Sequence, residues 1–177
     1  MKGEWILPGA VKDTQTVSAQ WDPLGQTLIS GVRVHEVRHV PKAAGHLTEV
    51  YRRDWLTDAE QVDQVFEVEL LPGSITAWHA HEHTLDRLFV LAGSARIVLY
   101  DARQGSPTEG TINQFLFGEH RPALVVIPPR VWHGVQSIGH GPARLLNLVD
   151  RAYDYASPDH WRVPADSPHV PFTFPPR

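Results

Sequence analysis

At 177 residues, 42% apolar and 20% charged, the chain is long enough for one well-buried core and short for two ordinary domains. A formal net charge of −4 gives no basic field for phosphate backbones, which counts against nucleic acid as a partner. Cysteine is absent, so disulfides, a thiolate nucleophile and Cys-ligated zinc are excluded, and any metal must sit on His, carboxylate, carbonyl or water.

The opening stretch MKGEWILPGAVKDTQTVS has no uninterrupted apolar core of signal-peptide length. No later run approaches ~18 consecutive apolar residues, so the reading is a cytoplasmic protein without a membrane segment. Residues 1–30 read as an N-terminal arm whose Trp5 and Trp21 would pack on a partner or on the exterior of the main domain. At 57–61, Thr57 followed three residues later by Glu60 is a capping-box pattern and predicts one helical turn. Gln64–Leu70 alternates with period two and ends at Pro72-Gly73. Residues 94–101 place Ala95, Ile97 and Leu99 on one face and Arg96, Val98 and Tyr100 on the other. Residues 113–117, Ala123–Ile127 and Ala143–Val149 continue the series. Fifteen prolines and thirteen glycines leave little room for long helices. Six or more short strands predict an all-β sandwich or barrel over 31–150, with an irregular proline-rich C-terminal segment, 151–177, packed on it.

The chemistry concentrates in GSITAWHAHEHTLDRLFVLAG, residues 73–93. Residues i and i+2 of a strand share a face, so His79 and His81 would project together, ~6 to 7 Å apart. Asp86 follows a turn-like EHTL, and His133 lies after Pro128-Pro129 on a strand that a closed barrel would bring opposite. Three imidazoles and one carboxylate suit a divalent transition metal. His83 reads as a rim residue, and the other histidines carry no assigned role.

Gly73, His79, His81, Asp86 and Gly93 at these offsets resemble the first cupin motif, with Asp where Glu is usual. Pro128, Pro129 and His133 resemble the second, with Arg130 in place of glycine and Ser137 in place of the closing asparagine. The resemblance implies a single jelly-roll β-barrel. A longer stretch, roughly residues 65 to 170, is similar to the dTDP-4-dehydrorhamnose 3,5-epimerase group through GSITAWHAH, VLYDARQGSPTEG, IPPRVWHGVQ and YDYASPDHWRVPADSP. In that group, the resemblance implies, a metal-free histidine acts as base, a tyrosine as acid on the opposite face, and arginine and lysine hold the nucleotide phosphates. The base matches His79, and His133 matches a second inward histidine. The arginine falls on Thr76, the lysine on Asp86, the glutamine on His81, the tyrosine near Asn147 and a C-terminal aspartate at or next to Asp166.

These departures remove nucleotide-binding groups and add metal-binding ones. The leading expectation is therefore a metal-dependent cupin enzyme, an isomerase, epimerase or oxygenase acting on a small sugar-like or carbonyl substrate. His79, His81, Asp86 and His133 would hold Fe, Mn, Ni, Co or Zn, with His79 and His133 catalytic. Arg96, Tyr100, Gln136 and Asn147 would contact substrate or support the ligands. The alternatives are a metal-free 3,5-epimerase of a 4-keto-6-deoxysugar nucleotide with His79 as base, and a non-catalytic small-ligand-binding cupin. In the epimerase reading, Tyr153 or Tyr155 would supply the acid if the C-terminal segment folded over the barrel mouth. The arm and the dimers common among related epimerases imply a homodimer.

Overall fold

Two antiparallel sheets face one another in the computed structural model, which describes residues 5–20, 24–55 and 61–176. In chain order the strands are β1 Arg33–Glu36, β2 Val40–Lys42, β3 Gly45–Leu47, β4 Gln64–Leu70, β5 Ile75–Ala80 and β6 Asp86–Ala92. They continue with β7 Ser94–Tyr100, β8 Ile112–Gly118, β9 Ala123–Ile127, β10 Trp132–Ser137, β11 Ala143–Val149 and β12 Trp161–Arg162. One sheet runs β1-β9-β6-β11-β4, the other β12-β5-β10-β7-β8, and β2-β3 form a separate hairpin. This is a jelly roll, as the strand count and the resemblance both imply. The predicted turn at 57–61 lies almost wholly outside the described residues, and the nearest helical element is a single 3-10 turn at Arg53–Trp55. No helix among the described residues is long and apolar enough to cross a membrane.

Between the sheets lies a core of alternating inward residues: Val90 from β6, Ile97 and Leu99 from β7, Phe115 and Phe117 from β8, Val125 and Ile127 from β9, and Leu145 from β11. Full burial of each such side chain is worth about 1.5 to 3 kcal/mol. The outer faces are covered too, which explains why all five residues of β9 are buried. Leu124 and Val126 meet Phe89 and Leu148 beneath Val37, Val50, Tyr51 and Trp55. On the other sheet, Trp78 and Val98 are covered by Val170, Phe172 and Phe174 of the C-terminal tail.

Hydrogen bonds also bind that tail. Trp78 and Val163 exchange backbone hydrogen bonds of 2.9 and 3.1 Å, the Trp78 indole N–H donates to Ala165 O at 3.3 Å, and the Gln136 amide donates to Pro175 O at 2.8 Å. Gly134 makes the packing possible, because a Cβ there would lie 2.5 Å from Ala77 Cβ and 3.0 Å from the Phe174 ring. At the other end of the chain, Trp5 is 84% exposed and makes no use of the barrel exterior; Trp21 is outside the described residues. Residues 26–29 do attach, through bonds of Asn113 to Ile29 N and Thr27 O.

Candidate active site

An irregularity in β5 aims the principal histidine. Against β10, His79 pairs with His133 and Thr76 with Val135, so three steps on β5 oppose two on β10. A bulge of this kind switches parity, and Thr76 and His79 both face inward although regular alternation would separate them. His81, two residues on, faces the same cavity, as the i, i+2 rule predicts. His133 sits beside His79 on the neighbouring strand, not across a barrel, and the two rings are 4.0 Å apart by centroid. His81 is 5.9 Å from His79 and 5.6 Å from His133.

Asp86 opens β6 at the centre of this cluster and is 2% exposed. Its Oδ2 accepts from His81 Nε2 at 3.2 Å, and its Oδ1 accepts from Asn147 Nδ2 at 2.6 Å. His133 Nε2 is 3.4 Å from the same Oδ2 and makes no hydrogen bond to it. The ring protons follow from the acceptors. His81 Nδ1 faces the carbonyl of Asp159 at 2.5 Å and its Nε2 faces a carboxylate, so both nitrogens carry hydrogen and His81 is an imidazolium. Burial opposes that charge, but the Asp86 bond and the Asp159 carbonyl outweigh it and raise the His81 pKa. Burial likewise works against the Asp86 carboxylate, and the His81 bond prevails and holds it well below the usual range. His133 donates from Nδ1 to Val131 O at 3.0 Å and is kept neutral by burial. His79 has a buried Nδ1 without a partner, and burial, then the neighbouring His133, push it down to about 2.

The chain after β11 closes over this cluster. Asp159 accepts from the amides of Glu82, His83 and Thr84 at 2.7, 2.9 and 3.0 Å, and from the Thr84 hydroxyl at 2.9 Å. One carboxylate thus ties the 151–162 segment to the β5–β6 turn. The segment brings Arg151, Tyr153, His160 and Arg162 to the wall of a cavity of about 530 Å³ that Phe66, Val68, Asn147, His79 and His81 also line. The His160 ring is 4.4 Å from His81, 6.2 Å from His79 and 5.9 Å from Tyr153. Burial and the His81 charge lower the His160 pKa.

Of the residues singled out in the sequence, His79, His81, Asp86 and Asn147 line the cavity, with His133 directly behind. Arg96, Tyr100 and Gln136 do not. Ile97 and Leu99 occupy the core, so their alternates on β7 face outward; Arg96 bonds Gln136 at 2.6 Å, and Tyr100 packs with the cluster under the tail. Their expected contact with substrate is corrected on that ground. Asp166 is exposed and forms no pair with His79, whereas Asp159, His160 and Arg162 were given no role from sequence. Their signal was DHWR just ahead of the final prolines, legible only if that stretch adds an edge strand beside β5. Arg130 keeps the left-handed backbone of the glycine it replaces, with φ of 66°.

A jelly roll with inward imidazoles defines a cupin-type barrel. The chain belongs to the dTDP-4-dehydrorhamnose 3,5-epimerase family, whose model matches residues 26–173. It is 36% identical over 141 residues to the probable low-salt glycan biosynthesis epimerase Agl13 of Haloferax volcanii, covering 78% of this chain and 89% of that protein. It is 32% identical to the spore coat polysaccharide biosynthesis protein SpsL of Bacillus subtilis, covering 83% and 97%. Among solved structures, a dTDP sugar isomerase from Desulfovibrio desulfuricans G20 superposes with a TM-score of 0.76 at 31% identity, covering 82% and 91%.

Family membership overturns the expected metal-dependent enzyme and its divalent transition-metal cofactor, since the histidine base of this family works without metal. The spacing that suggested a metal is real, because ring nitrogens of His79, His81 and His133 fall within 4.8 Å of one another. A doubly protonated His81 has no lone pair to offer, and Asp86 is committed to it and to Asn147.

Proposed function

We propose that the protein is a metal-free epimerase of a 4-keto-6-deoxy sugar carried on a nucleoside diphosphate, with His79 as the base. The observation that carries this reading is the His79 imidazole on the wall of a cavity of about 530 Å³, with its ring 5.9 Å from that of His81, which is bonded to Asp86 and the Asp159 carbonyl. A C4 carbonyl acidifies the hydrogens on C3 and C5. His79 removes one, the electron pair delocalises onto the carbonyl oxygen, and return of a proton to the opposite face inverts the centre.

Tyr153 is the acid in this reading. Asn147 cannot donate a proton to carbon, while Tyr153 lines the same cavity from the closing segment and Tyr155 is 88% exposed. His79→Asn is expected to lower epimerisation and hydrogen exchange at the inverted carbon together, by about 10³-fold. Tyr153→Phe is expected to retain exchange and lose inversion, as followed by proton NMR of the sugar. Full inversion by Tyr153→Phe contradicts the acid assignment, and full activity of His79→Asn contradicts the base.

A further inference from the structure

The reaction creates an enolate oxygen beside His79, and the donors near that base are mostly spent. Both N–H groups of His81 are taken by Asp86 and Asp159 O, and the Asn147 amide is bonded to Asp86. His160 is disfavoured as a cation by burial and by His81. Two guanidiniums line the cavity, Arg151 and Arg162, and neither enters an ion pair among the described residues. They are not equivalent. Arg162 pairs directly with His79 across β12 and β5, and residues opposite one another in an antiparallel pair project from the same face. Its charge is felt at His79, His133 and His160.

Resting on the epimerase reading, we infer that Arg162 is a catalytic residue that holds the keto oxygen as it becomes an enolate oxygen. The C–H bond breaks, the proton moves to His79, the C–H electron pair forms the C=C bond, and the carbonyl π pair moves to an oxygen held by the guanidinium. Reprotonation of carbon by Tyr153 restores the carbonyl, after which His79 loses and Tyr153 regains a proton through solvent. The contribution is transition-state stabilisation: a donor aimed where charge develops lowers the barrier without tightening ground-state binding in proportion.

The test compares wild type, Arg162→Gln and Arg162→Lys for kcat, for solvent hydrogen exchange into the 4-keto sugar nucleotide, and for affinity toward dTDP alone by calorimetry. Arg162→Gln is expected to lower kcat and exchange together by about 10²-fold or more, with dTDP affinity nearly unchanged, Arg162→Lys falling between and added guanidinium restoring part of the rate. Retained kcat and exchange with dTDP affinity weakened about tenfold overturn the inference and make Arg162 a phosphate anchor. Exchange absent from the wild type refutes the epimerase reading itself, a separate outcome.

Discussion

An imidazole pushed down to about 2 is unprotonated throughout the physiological range, yet it is a weak base toward carbon. In the proposed reaction His79 therefore depends on a neighbour that stabilises the enolate, the role inferred for Arg162. The same histidines give a stability profile with a sign for each. His79 and His133 have depressed pKa values, so below about pH 6.5 the unfolded chain binds protons that the folded one does not, and stability falls with acidification. His81 has a raised pKa; its contribution is complete below about pH 6.5 and is lost as pH climbs through the higher folded value. Maximum stability is expected near pH 6.5 in denaturant titrations. His81→Gln is expected to flatten the alkaline limb while keeping the acid limb, and an unchanged alkaline limb contradicts an imidazolium at His81.

At the scale of elements, the site is an encounter between a bulged strand and a closing segment, and the two were unequally visible in the sequence. The period-two pattern placed β4, β9 and β11 at their observed limits. It also put His79 and His81 on one face. The bulge that turns Thr76 and His79 to the same side left no sequence mark, since it depends on the register against β10. Nor did alternation distinguish core from outer face on β7, where both faces are buried, and Arg96 and Tyr100 were misplaced for that reason. Asp159 was invisible because its partners are backbone amides more than seventy residues away. Asp159→Ala leaves those donors without an acceptor and is expected to raise KM about tenfold and expose 151–162 to protease. Unchanged KM and protease resistance contradict the latch.

Taken as a whole molecule, the protein sets a metal-cupin arrangement of histidines in the jelly roll of an epimerase family. His79, His81, His133 and Asp86 converge as their spacing foretold, but what the cluster holds was not readable from residue types. Histidine and aspartate serve equally as ligands and as a charged pair, and only the carbonyl of Asp159 beside His81 Nδ1 decides where the protons are. The most direct test uses chelator-treated protein in deuterated water with dTDP-4-keto-6-deoxyglucose, monitored by proton NMR. Deuterium entering C3, C5 or both, at a rate unchanged by added divalent metal, is the expected result. No exchange at high enzyme concentration, or exchange that appears only when metal is restored, contradicts the account.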